Sequence, residues 1–143
     1  MSETVVAGSA TTRNIQQTRA QVTRTPKVGF RGQLTNSAAT LYTAPVLPSS
    51  LPTGTAQASA VLKSVVMCNT DSAAQTVTLY AIESGGSAAD NRAFMKAHSI
   101  AANTTETLSF PDDSFPLSSG EFIQGLAGTT LKVTVRVHVI ELT

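Results

Sequence analysis

Three features of this chain predict an all-β domain, an antiparallel β-sandwich or jelly-roll-like barrel with an extended N-terminal arm. Residues 131–142 alternate apolar and polar side chains over nearly their whole length, the period of a strand with one face in a core. Turn-forming clusters recur at short intervals, and no segment after residue 27 carries a long apolar stripe at helical spacing. Charged residues are only 13% of the chain, against a usual share of roughly 25%. With Thr, Ser, Ala and Val abundant, the polar faces of such a fold carry hydroxyls more than ions.

Residues 1–27 form the arm and residues 28–143 a single β-sandwich domain. In the arm, Thr, Ser, Gln and Arg surround single apolar residues that repeat at neither strand nor helix spacing, and residues 13–21 have too thin an apolar face for a helix. Such a segment is expected to be disordered alone. Ordering it costs roughly 25–50 kcal/mol of backbone entropy, so a second subunit or another protein is expected to hold it. Arg13, Arg19, Arg24 and Lys27 against Glu3 give the arm +3, while six cations and eight acids leave the body at −2. The four cations are the candidate partner-binding residues, through carboxylates on the partner surface. Nucleic acid is not the expected partner: four dispersed cations give a salt slope of only about −3.6, and the arm has no aromatic residue for base stacking.

Residues 28–34 and 39–44 read as two short strands joined by Thr35-Asn36-Ser37-Ala38, with Phe30, Leu41 and Tyr42 as anchors. Residues 45–57 hold three prolines and a glycine, which favour an irregular connection. Ala58–Asn69 is apolar on both faces with Lys63 its only charge, as in a central strand. Gln75–Ile82 is the next strand, with Val77, Leu79 and Ala81 inward, and the intervening turn residues predict a hairpin between the two. A loop over 83–91 leads to strands at 92–99 and 100–108; a loop over 111–121 ends in a Gly120-Glu121 turn before Phe122–Ala127. In the last strand Leu131, Val133, Val135, Val137 and Val139 face inward, opposite Lys132, Thr134, Arg136 and His138.

Chemistry-bearing patterns are scarce. Cys68 is the only cysteine, sits in an apolar run and reads as a small buried hydrophobe. His98 and His138 have no partners at metal-ligand spacing. Asp112-Asp113 reads as turn chemistry, and the loop acids Asp71, Asp90, Asp112 and Asp113 lack the alternation of a calcium loop. There is no nucleophile elbow and no phosphate-binding glycine loop. No catalytic residue, cofactor or metal is therefore expected. The N terminus lacks a secretory pattern, and no stretch is long enough to span a membrane, so a soluble intracellular product is expected.

From about residue 25 onward the chain resembles small β-sandwich virion proteins of tailed bacteriophages. The likeness rests on Leu41-Tyr42-Thr43-Ala44-Pro45, on Cys68-Asn69-Thr70 leading to Thr78-Leu79-Tyr80, on Gly85-Gly86-Ser87-Ala88-Ala89-Asp90, and on Gly120-Glu121 with Ile123-Gln124-Gly125. It implies a structural component of the virion: a capsid decoration or cement protein bound to the major capsid protein, or else a collar, connector or tail-surface subunit. A homo-oligomer such as a trimer, fastened through the arm, fits that implication. A carbohydrate- or receptor-binding module is the reading of another class, disfavoured by the absence of Trp and the presence of only Tyr42 and Tyr80. A hydrolase comes third.

Overall fold

The computed structural model describes residues 23–47 and 58–143. Its strands are β1 (Arg24–Gln33), β2 (Ala39–Thr43), β3 (Ala58–Asn69), β4 (Gln75–Ile82), β5 (Ala93–Ile100), β6 (Thr105–Ser109), β7 (Pro116–Ser118), β8 (Phe122–Ala127) and β9 (Val133–Leu142), with a 3-10 turn at Asp90–Arg92 before β5. One sheet has the order β1-β9-β3-β6, with β7 also pairing β3; the other has the order β2-β8-β4-β5. Each ladder is antiparallel. The pairs β1–β9, β2–β8, β3–β6 and β4–β5 nest one inside the next, which is the strand order of a jelly roll. The fold is thus an all-β sandwich, and the nesting specifies which kind.

The core lies between the sheets. Val133, Val135, Val137 and Val139 of β9 meet Leu62, Val65 and Met67 of β3 on one side and Val77 and Leu79 of β4, Leu41 of β2 and Ile123 of β8 on the other. β9 supplies every second residue because its alternation is unbroken, so it occupies the middle of its sheet between β1 and β3. Phe94, Phe110 and Phe115 add a half-buried aromatic cluster, with ring centroids 4.8–6.2 Å apart in tilted and edge contacts. Gly125 of β8 leaves room for the core side chains of the two strands that flank it: a Cβ there would stand 2.9 Å from Leu41 Cδ1 and 3.0 Å from Leu79 Cδ2.

Several expectations change. The predicted hairpin between Ala58–Asn69 and Gln75–Ile82 does not form, because β3 and β4 lie in opposite sheets. The connection is a corner built around Asn69, a fully buried side chain whose amide donates to Ala73 O (2.9 Å), Ile100 O (2.9 Å) and Ala101 O (3.2 Å) while its oxygen accepts from Asp71 N–H (2.9 Å). A two-strand ladder cannot absorb those four groups; a crossing between sheets can.

Leu131 does not begin the last strand: it is 55% exposed at φ +61°, and β9 starts at Val133. β7 lies inside the predicted 111–121 loop and adds to β3 beyond the reach of β6. Cys68 is half-buried on the outer face of its sheet, opposite Thr134 and Thr105, and not in the core.

The arm expectation splits at its boundary. Residues 1–22, with Arg13 and Arg19, lie outside the described residues. Arg24 and Lys27 belong to β1, paired opposite Leu142 and Val139 of β9. The segment carries no strand-like alternation; main-chain pairing with the end of β9 extends it. The ladder runs out at Thr23 and Thr143, each donating its N–H to the other's carbonyl (2.7 and 3.0 Å).

Candidate functional site

Every second side chain of β9 faces the core, which leaves Arg136, His138 and Ile140 on the outer face of the sheet. Register brings β1 alongside: Pro26 stands opposite Ile140, Val28 opposite His138 and Arg31 opposite Arg136. From the other side β3 places Val61 opposite Ile140, Ser64 opposite His138 and Val66 opposite Arg136. The ladders shift register between Val28 and Phe30 and between Leu62 and Ser64. These irregularities locally kink the two flanking strands. At the first of them, Gly29 packs so close to Tyr42 that a Cβ would stand 2.8 Å from the ring.

The result is an open groove of about 420 Å³ lined by Pro26, Lys27, Val28, Lys63, Arg136, His138, Val139 and Ile140. Pro26, Val28 and Ile140 make its floor apolar, and Val28 is 40% exposed there. Lys63 projects from the irregularity in β3 and donates to Asp112 O. His138 Nδ1 and Ser64 Oγ share a hydrogen bond of 2.9 Å, which fixes the imidazole in the groove wall.

Electrostatics distinguish this face from the rest. Arg24 forks onto Asp113 (3.0 and 2.7 Å), Lys27 reaches Glu141 (3.3 Å), Arg92 pairs with Glu83 and Lys96 with Asp90. The hydrogen bond and charge of Arg24 hold the Asp113 carboxyl below the usual carboxylate range, and Arg92 does the same to Glu83. Among the described residues, Arg31, Lys63, Lys132 and Arg136 form no ion pair; three of these four, Arg31, Lys63 and Arg136, stand on the groove's sheet face. Arg31 and Arg136 are directly opposed, a like-charge pair that works against the ladder holding it.

The two expected arm residues that are described, Arg24 and Lys27, have their charges met within the domain by Asp113 and Glu141. Glu141 also accepts from Tyr42 OH at 2.7 Å; burial first, then that hydrogen bond, raises the Tyr42 phenol and keeps it a neutral donor. Arg24 and Lys27 thus each form an ion pair within the domain, and Lys27 also lines the groove together with Lys63 and Arg136. Arg31, Lys63, Ser64, Arg136 and His138 were not among the sequence-derived candidates, because a separation of 74 residues between Ser64 and His138 hides a contact that only strand register creates.

Chemically, the groove offers fixed positive charge, hydrogen-bond donors and an apolar floor. Among the described residues no three His, Cys, Asp or Glu side chains converge as metal ligands. Among them, too, no helix is long and apolar enough to cross a membrane.

No family model and no curated protein matches the chain. Among solved structures it is similar to a chain from the structure of infectious bursal disease virus Gx strain, at 14% identity and a TM-score of 0.43, over 85% of this chain and 32% of that one. The present chain thus spans about a third of the length of that viral chain.

Proposed function

We propose that this chain is a non-enzymatic structural protein of a tailed-phage virion, a capsid decoration or cement protein that assembles with other virion proteins and oligomerises. The observation that carries the reading is the nested strand pairing, with both ends of the sandwich meeting where Thr23 pairs with Thr143. Jelly rolls are a recurrent building unit of viral shells, although they also serve as lectin domains and cupins. Fold alone is analogy. The sequence resemblance to phage virion proteins selects among those uses. The low charge of the chain supports the same choice, since hydroxyl-rich faces can pack against neighbours with little desolvation cost.

In this reading the 22 residues before Thr23 add contact area on a neighbour. Each contact after the first forms at a high effective concentration, so modest interfaces sum to stable cross-linking of a shell. The test is copy number in purified particles by quantitative mass spectrometry, relative to the major capsid protein. A ratio near one supports decoration of the capsid. A ratio of a few per cent replaces it with a collar, connector or tail-surface subunit, and absence from particles overturns the virion reading.

A further inference from the structure

We propose that the groove over β1, β9 and β3 is a docking site for an extended acidic segment of a partner protein, one whose side chains alternate between carboxylates and small apolar groups. The reasoning rests on charge complementarity and on the shape of the floor. Arg31, Lys63 and Arg136 gather unpaired positive charge on one sheet face. The nearby acid Asp113 is paired with Arg24 and also feels the charge of Lys63, whose ammonium donates to Asp112 O, so the fully uncompensated cations are Arg31 and Arg136. Arg31 and Arg136 repel each other across the ladder in the free protein, and a carboxylate seated between them relieves that repulsion.

The floor selects among anionic partners. Pro26, Val28 and Ile140 form an apolar strip running along the strands, beside the cations. An extended peptide presents alternate side chains to one face, so its apolar residues meet the strip while its acids reach the flanking cations. Nucleic acid suits the site poorly: the paired positions on this sheet face offer no aromatic ring for base stacking, and the cations are too few for tight phosphate binding. Ser64 and His138 sit at the centre of the groove wall, where the imidazole, turned by its Nδ1 contact, can offer a hydrogen bond to a seated carboxylate or main-chain carbonyl.

The inference does not depend on the virion assignment, and its test is separate. The full-length protein, labelled with nitrogen-15, is titrated with a capped octapeptide of alternating Glu and Val, with the matching Gln-Val octapeptide and with a single-stranded oligonucleotide. The expected result is amide shifts confined to β1, the middle of β3 and β9 with the Glu peptide alone, weakening with added salt. The variant Arg31→Gln/Arg136→Gln should retain the spectrum of a folded protein and lose about tenfold in affinity for that peptide. Equal binding of the Gln peptide, tighter binding of the oligonucleotide at the same amides, or no shifts at millimolar Glu peptide would each overturn the proposal.

Discussion

Ala97 sits at φ +48° inside β5, where its N–H is taken by Thr78 Oγ1 at 3.0 Å and the register with β4 slips by two residues over one. A side chain other than glycine is strained there by about 1–3 kcal/mol. Ala97→Gly removes only an exposed methyl and should stabilise the fold by about 0.5–1 kcal/mol once the larger backbone entropy of glycine is counted, read from the urea midpoint at unchanged slope. Asn69 predicts the opposite sign. Asn69→Ala strips partners from three carbonyls and one N–H at a buried corner, and a loss of about 2–4 kcal/mol is expected in the same measurement. Acid titration reports on the surface pairs. Asp113 and Glu83 are depressed in the folded protein, so their stabilisation is present above the unfolded carboxylate range and is lost as pH falls below about 4. Asp113→Asn combined with Glu83→Gln should flatten the acid limb of the unfolding midpoint against pH, and an unchanged limb would show that these exposed pairs contribute nothing.

At the scale of elements, the opposed Arg31 and Arg136 on β1 and β9 make a prediction about the ladder itself. Arg31→Glu converts a repulsive cross-strand pair into an attractive one and should stabilise the fold by about 0.5 kcal/mol at low salt, with the gain fading as ionic strength rises. The same substitution should weaken acidic-peptide binding, so stability and affinity move in opposite directions, which a purely structural role for Arg31 does not produce. Strand identity was largely legible in the sequence where alternation or a two-faced apolar run is long. The bounds of β3, β4 and β8 follow directly from such runs. β7 escaped because three residues carry no period, and the first turn of β1 escaped because Arg24 to Lys27 gain their strand conformation from the end of β9. The pairing of β3 with β4 was misread for a comparable reason: Asn69 looks like a turn residue locally, and only the carbonyls near Ile100 show that it builds a corner.

For the molecule as a whole, the nested pairing means that β9 meets β3 on one side and β1 on the other, and its partners on β1 are more than a hundred positions away in the chain. The groove inherits this non-locality, so its cations could not be grouped from spacing, whereas the jelly-roll alternative was available from strand count and turn frequency. Long-range pairing of this kind makes folding slow for a domain of this size, and it makes β9 indispensable. Removing residues 133–143 takes four valines from the core and leaves β1 and β3 without their shared neighbour. That truncation should abolish cooperative unfolding altogether. Removing residues 1–22 keeps every described ladder, including the Thr23–Thr143 closure, and should leave the thermal midpoint within about 2 °C of the intact chain, well below the shift that about 1 kcal/mol produces at this size. If the arm fastens the protein to a shell, the same deletion should reduce attachment to particles lacking the protein by at least tenfold while the groove still binds the Glu-Val peptide. Retained attachment with a folded body would transfer the anchoring role from the arm to the sandwich faces.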